Sequence, residues 1–128
     1  MIKKYLLIYI ATMLFIGCAS KVPIKIASAT ILFKTPTMKF YDKGFINRYD
    51  NYIELNILNL GKSVLYLKIY KDEICQSAFK CIPSKEFNLN YLNENYKDDF
   101  LYELFSKENI YFKDRENSVF IKVKHDKI

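Results

Sequence analysis

A mainly β domain, folded as a two-layer sandwich with a small helical insert, is what this sequence of 128 residues predicts. The first observation is a pair of alternating apolar and polar runs, residues 52–58 and 63–70, joined by Asn59-Leu60-Gly61-Lys62. A second is that runs of the same period occur at both ends of the chain. The third is a switch to helical spacing between residues 84 and 106 and nowhere else.

In chain order, residues 24–34 read as extended, with Ala27, Ala29, Ile31 and Phe33 on one face. Pro36 has no N–H for a sheet ladder and interrupts them. Residues 38–41 form a short strand, and Asp42-Lys43-Gly44 has the composition of a turn before Phe45-Ile46. Ile53, Leu55 and Ile57 then alternate with Glu54 and Asn56, and Leu65, Leu67 and Ile69 alternate after the Asn/Gly loop. Two such runs around a short loop make a hairpin. Ser84 is placed to cap a helix carrying Phe87, Tyr91 and Leu92. Asp98-Asp99 suits the start of a second helix, because carboxylates favour the positive end of the helix dipole. Its buried stripe is Phe100, Leu101, Leu104 and Phe105. Residues 110–112, a polar turn over 113–117, and Val119, Ile121 and Val123 complete the chain as another hairpin.

Composition narrows the class. With 51% apolar and 27% charged residues the chain can bury a core, which excludes a mainly disordered protein. Its length fits one domain and leaves no room for a separate cofactor domain.

The amino terminus is read apart from the domain. Lys3-Lys4 precedes an uncharged run over residues 5–16, too short for a membrane span of about 20 residues. It fits the apolar part of a secretory signal peptide. The run closes on Phe15-Ile16-Gly17-Cys18-Ala19-Ser20, which resembles the lipobox of bacterial lipoproteins, with Phe15 standing where that family has Leu, Val or Ile. The resemblance implies cleavage before Cys18, lipid on its sulfur and amine, and sorting to the outer membrane of a diderm bacterium, since Ala19 follows the cysteine. Residues 1–17 are then a cleaved signal peptide, residues 18–25 a lipidated end and tether, and residues 26–128 a single sandwich domain. Cys75 and Cys81, followed by Phe87-Asn88, Tyr91-Leu92 and the 100–105 stripe, resemble small envelope lipoproteins with a variant immunoglobulin-like fold. That family has no assigned activity, so the resemblance implies no catalytic residue. The chain has no Trp and therefore lacks the Cys…Trp…Cys core of antibody-type domains.

Little here promises chemistry. Cys75 and Cys81 are an even pair in an exported chain and read as a disulfide, with free thiols or a reactive pair as alternatives. A metal would need more ligands than the single histidine, His125, can add, so neither metal nor cofactor is expected. His125 and Asp126 lie near a terminus that is a poor place to hold a general base. Asp72-Glu73 and Asp98-Asp99 fit strand ends and helix starts better than an acid–base pair. Eighteen of the 20 basic residues are lysine, the bias of an A- and T-rich genome, so nucleic acid is not expected as a partner. Tyr66, Lys68 and Tyr70 share the outward face of one hairpin strand, and Tyr52 and Glu54 that of its neighbour. Either this is an interaction face or the helical insert covers it. The expectation is a non-enzymatic, lipid-anchored module that binds envelope proteins or surface ligands, with a carrier of a lipid or small apolar ligand as the alternative.

Overall fold

The computed structural model describes residues 24–77 and 79–126, so Cys18 and the segment before it lie outside the described residues. Eight strands form one antiparallel sheet: β1 (Lys25–Lys34), β2 (Lys39–Arg48), β3 (Ile53–Asn59), β4 (Lys62–Ile69), β5 (Glu73–Ser77), β6 (Lys80–Pro83), β7 (Tyr111–Asp114) and β8 (Val119–His125). Two short helices, α1 (Ser84–Tyr91) and α2 (Phe100–Phe105), fall between β6 and β7. The strand order is β6-β5-β4-β3-β2-β1-β8-β7.

This order fixes where the helices go. Strands β1 to β6 meander outward to one edge, whereas β7 and β8 add at the other. The segment over residues 84–110 must therefore cross the whole sheet, and it does so on the face bearing Ile31, Phe33, Leu55, Ile57, Leu67 and Ile121. Phe87, Leu101, Leu104 and Phe105 from the crossover join these residues in one buried cluster. The rings of Phe33 and Phe105 stack 6.5 Å apart. Arg48 ties the end of α2 to β2: its Nε donates to the Phe105 carbonyl at 3.0 Å and its Nη2 to the Lys107 carbonyl at 2.9 Å. The Phe105 carbonyl is among the acceptors a helix end leaves unpaired, and Lys107 lies just past that end.

The 52–70 hairpin stands where the alternation puts it, with Ile53 opposite Ile69 and Leu55 opposite Leu67. Its turn is a mirror-image two-residue loop in which both central residues have positive φ, Leu60 at 51° and Gly61 at 78°. Gly61 adopts this freely, but Leu60 does not, and its side chain is 98% exposed. Leu60→Asn is therefore expected to stabilise the domain by about 1 kcal/mol, the scale of left-handed strain in a bulky residue. A higher urea midpoint measures it.

Three expectations are corrected. Asp42-Lys43-Gly44 is not a turn but the middle of β2, which runs unbroken opposite the whole of β1. Gly44 serves close approach instead, since a Cβ there would meet the Asn56 carbonyl oxygen at 2.3 Å. Ser84 does not cap α1. It is the first helical residue behind Pro83, and its buried hydroxyl has no hydrogen-bond partner. His125, expected near a terminus too loose to hold a side chain in place, is held in the ladder. It pairs with Ala29 at the end of β8. Strands β5 and β6, absent from the sequence reading, form a hairpin at the sheet edge that sets Cys75 opposite Cys81.

Candidate binding face

The crossover buries one face of the sheet, so the residues that alternate outward define the other. The five expected face residues all fall there. Glu54 sits opposite Lys68 in register, Tyr66 opposite Asn56, and Tyr52 and Tyr70 extend the same two strands. The helices lie on the opposite side, against Ile53, Leu55 and Ile57. The insert is therefore not what covers these tyrosines.

They are nevertheless packed, chiefly on one another. Tyr52 is only 6% exposed. Its ring stacks on Tyr49 at 4.4 Å and tilts against Tyr70 at 5.2 Å, and the Lys68 ammonium lies 4.9 Å from its centre. The Tyr66 hydroxyl donates to Glu54 Oε2 at 2.8 Å, and Asn47 Nδ2 donates to Glu54 Oε1 at 3.2 Å. Neither Tyr49 nor Asn47 was singled out from sequence. Their roles come from β2 pairing with β3, which puts Asn47 opposite Glu54.

Burial, the hydrogen bond to Glu54 and that carboxylate's charge push the Tyr66 phenol far above its ordinary value. A phenol so raised keeps its proton near neutral pH and acts as a fixed donor. Tyr96 is raised in the same way, first by burial and then by its hydrogen bond to Asp114 at 2.5 Å. Because the folded state holds these protons more tightly than the unfolded chain, their contribution is complete below about pH 10 and is lost as pH rises beyond it. In an alkaline titration followed by tyrosine absorbance, Tyr66 and Tyr96 should ionise only as the domain unfolds. Tyr66→Phe should make the alkaline loss of stability shallower.

Cys75 and Cys81 are joined by a disulfide. Glu73 Oε1 lies 3.7 Å from Cys75 Sγ, but the two sulfurs are bonded to each other, so the trio offers no thiolate to a metal. With Tyr66, Lys68, Tyr70 and Ser77 the disulfide lines a shallow hollow of about 160 Å³. That is room for a partner's side chain and not for a lipid. His125 Nε2 is 2.8 Å from the Glu108 carbonyl, whereas Asp126 accepts from Ser28 and from Lys43 Nζ. The two neighbours thus face different partners and do not form a dyad.

A second network went unnoticed in the sequence. Asp114 accepts from Tyr96 and from Asn117 Nδ2 at 2.7 Å, and Asn93 Nδ2 donates to Asn117 Oδ1 at 2.8 Å. It pins the loop between the helices to the β7–β8 turn. Tyr96, Phe100 and Phe112 pack beside it with ring centres 4.6 to 5.6 Å apart.

Fold and face together define a small, mainly antiparallel β domain with a helical crossover on one side and an uncovered sheet surface on the other. Comparison with protein-family models, curated proteins and solved structures found no match to this chain.

Proposed function

We propose that this protein is a lipid-anchored, non-catalytic binding module of the cell envelope, held at the outer membrane through Cys18, and that it meets its partners through the outward face of the sheet. The observation that carries the binding half is the uncovered surface itself. Tyr41 and Tyr111 are 68% and 60% exposed on the outward side, while the crossover seals the other. Tyrosine offers contact area with a polar tip, which is why it is enriched where proteins meet partners. The anchoring half rests on Lys3-Lys4, the apolar run and Gly17-Cys18. Acyl chains would confine the domain to a surface and raise its effective concentration for a neighbour there.

The finer fold reading, an immunoglobulin-like pair of β layers, belongs to this proposal as well. Its support is that Leu67 and Ile74 near one edge and Val119 and Ile121 near the other join a single core, as when a sheet's ends turn toward each other. The carrier alternative has one observation on its side, an open cleft of about 670 Å³ at the start of β1. Four of its eight lining residues, Lys25, Glu108, His125 and Asp126, are ionisable, which suits an apolar ligand poorly.

The intact mass of protein extracted from membranes tests the anchor. It should equal residues 18–128 plus acyl groups, less two hydrogens for the Cys75–Cys81 bond, and Cys18→Ala should stay unprocessed. Normal processing of that variant would sink the lipobox reading. A photo-crosslinking residue at position 41 or 66 should trap a neighbour in intact cells, whereas one at Leu89, on the helix side, should not. Equal trapping at all three positions would remove the face assignment.

A further inference from the structure

We infer that the half of the outward face built by β7, β8, β1 and β2 is a docking surface for an anionic lipid leaflet, an inference that rests on the envelope-module reading and names one partner of its face. The register brings together lysines scattered along the sequence. Lys113 on β7, Lys122 and Lys124 on β8, Lys34 on β1, and Lys39 and Lys43 on β2 all alternate outward. No Asp or Glu occupies an outward position on these four strands. The nearest carboxylate, Asp126 just past β8, is engaged by Lys43 at 2.8 Å.

Two features make this more than a lysine-rich composition. Lys34 lies directly opposite Lys39 in the ladder, and like charges so placed destabilise a sheet. Nothing within the described fold repays that placement. Charge is also segregated across the molecule. Residues 84–108, which cover the other face, carry six acidic side chains and three lysines. The domain is therefore polarised, and near an anionic surface it would turn its sheet inward and its helices away.

Lipid is favoured over nucleic acid by what lies between the lysines. Single strands stack on aromatic rings, and Tyr41, Phe45, Tyr111 and Phe120 lie on this face, but it also carries Leu32, and its rim carries Ile24 and Ile26, 71% and 64% exposed. Aliphatic side chains beside Tyr41 and Tyr111 suit the boundary of headgroups and acyl chains, where phenols sit and lysine stems reach outward. Ile24 is six peptide steps from Cys18, which span at most about 20 Å. A domain tethered that closely presents the rim of this face to the membrane first.

The test uses the full chain on vesicles of neutral phosphatidylcholine and on the same vesicles with about one-third phosphatidylglycerol. Lysines are acetylated and read by peptide mass spectrometry. On anionic vesicles Lys34, Lys39, Lys122 and Lys124 should label about fivefold more slowly than on neutral ones, the gain expected from one lysine near such a surface. Lys85 and Lys97 on the helix side should not change, and about 1 M salt should erase the difference. The double variant Lys34→Glu/Lys122→Glu should lose protection at Lys39 and Lys124 without lowering its unfolding midpoint, since the first substitution sets an opposite charge facing Lys39. Equal labelling on the two vesicle types, protection shared by Lys85 and Lys97, or stronger protection by a single-stranded oligonucleotide would overturn the inference. Failure of the anchor shows separately, as loss of the chain from neutral vesicles and absence of acyl mass on Cys18.

Discussion

Gly44→Ala is expected to destabilise the domain by about 3 kcal/mol, the upper part of the range for an added methyl that has nowhere to go. The new Cβ would lie 2.3 Å from the Asn56 carbonyl oxygen, 2.9 Å from Ile31 Cδ1 and 3.1 Å from Ile57 Cα. The first and third contacts are backbone of the neighbouring strand, so relief requires β2 and β3 to move apart. Gly44 is opposite Ala29 on β1 and Ile57 on β3, the point where three central strands meet. Urea unfolding followed by circular dichroism measures the change, with Gly61→Ala as the comparison. That glycine has open space around it but a positive φ, so its cost is conformational and smaller. An unchanged midpoint for Gly44→Ala would refute the close pairing of β2 and β3.

Phe105→Ala should cost about 3 to 5 kcal/mol, as large aromatic truncations in cores do. Phe105 is fully buried and stacks on Phe33, which is also fully buried. Its helix is only six residues long, far below the length at which a helix persists in water. Helix α2 is therefore held by its docking and by Arg48, and losing the ring should release more than one side chain. Hydrogen exchange should show the amides of residues 100–106 losing protection before those of β3 and β4. Leu89→Ala, at an exposed site on α1, should stay within about 0.5 kcal/mol of the parent. Comparable losses in the two variants would mean that the crossover does not depend on Phe105.

What could be read from the sequence follows the physics of each segment. Residues 52–70 were legible because both strands bury one face and wet the other, so period two survives intact. Asp42-Lys43-Gly44 misled because turn-forming residues were present for other reasons. Gly44 is there for its missing Cβ, and Asp42 accepts from the next amide, Lys43 N, at 2.8 Å. The β5–β6 hairpin escaped notice because strands of five and four residues are too short for a period to show. Tyr52, Glu54, Tyr66, Lys68 and Tyr70 could be placed together because they alternate on adjacent strands. Tyr49, Asn47 and the lysine face could not, since their neighbours are set by the register of β2 on β3 and of β1 on β8. No local pattern encodes that β7 and β8 return to the far edge of the sheet.

The two edges of the sheet have a consequence for crowding. Each is a strand of only four residues, β6 with Pro83 at its end and Lys80 at its start, β7 with Lys113 in its middle. A short edge that lacks one amide or carries a cation offers little template to a second chain. The disulfide adds to this, because it staples β6 to β5 and keeps the longer ladder behind it from being unzipped and offered. Molecules gathered on a two-dimensional surface collide edge to edge far more often than in free solution, and an open ladder there would seed polymers. On the anchored reading proposed above, the blunted margins would let many copies share a membrane and stay separate.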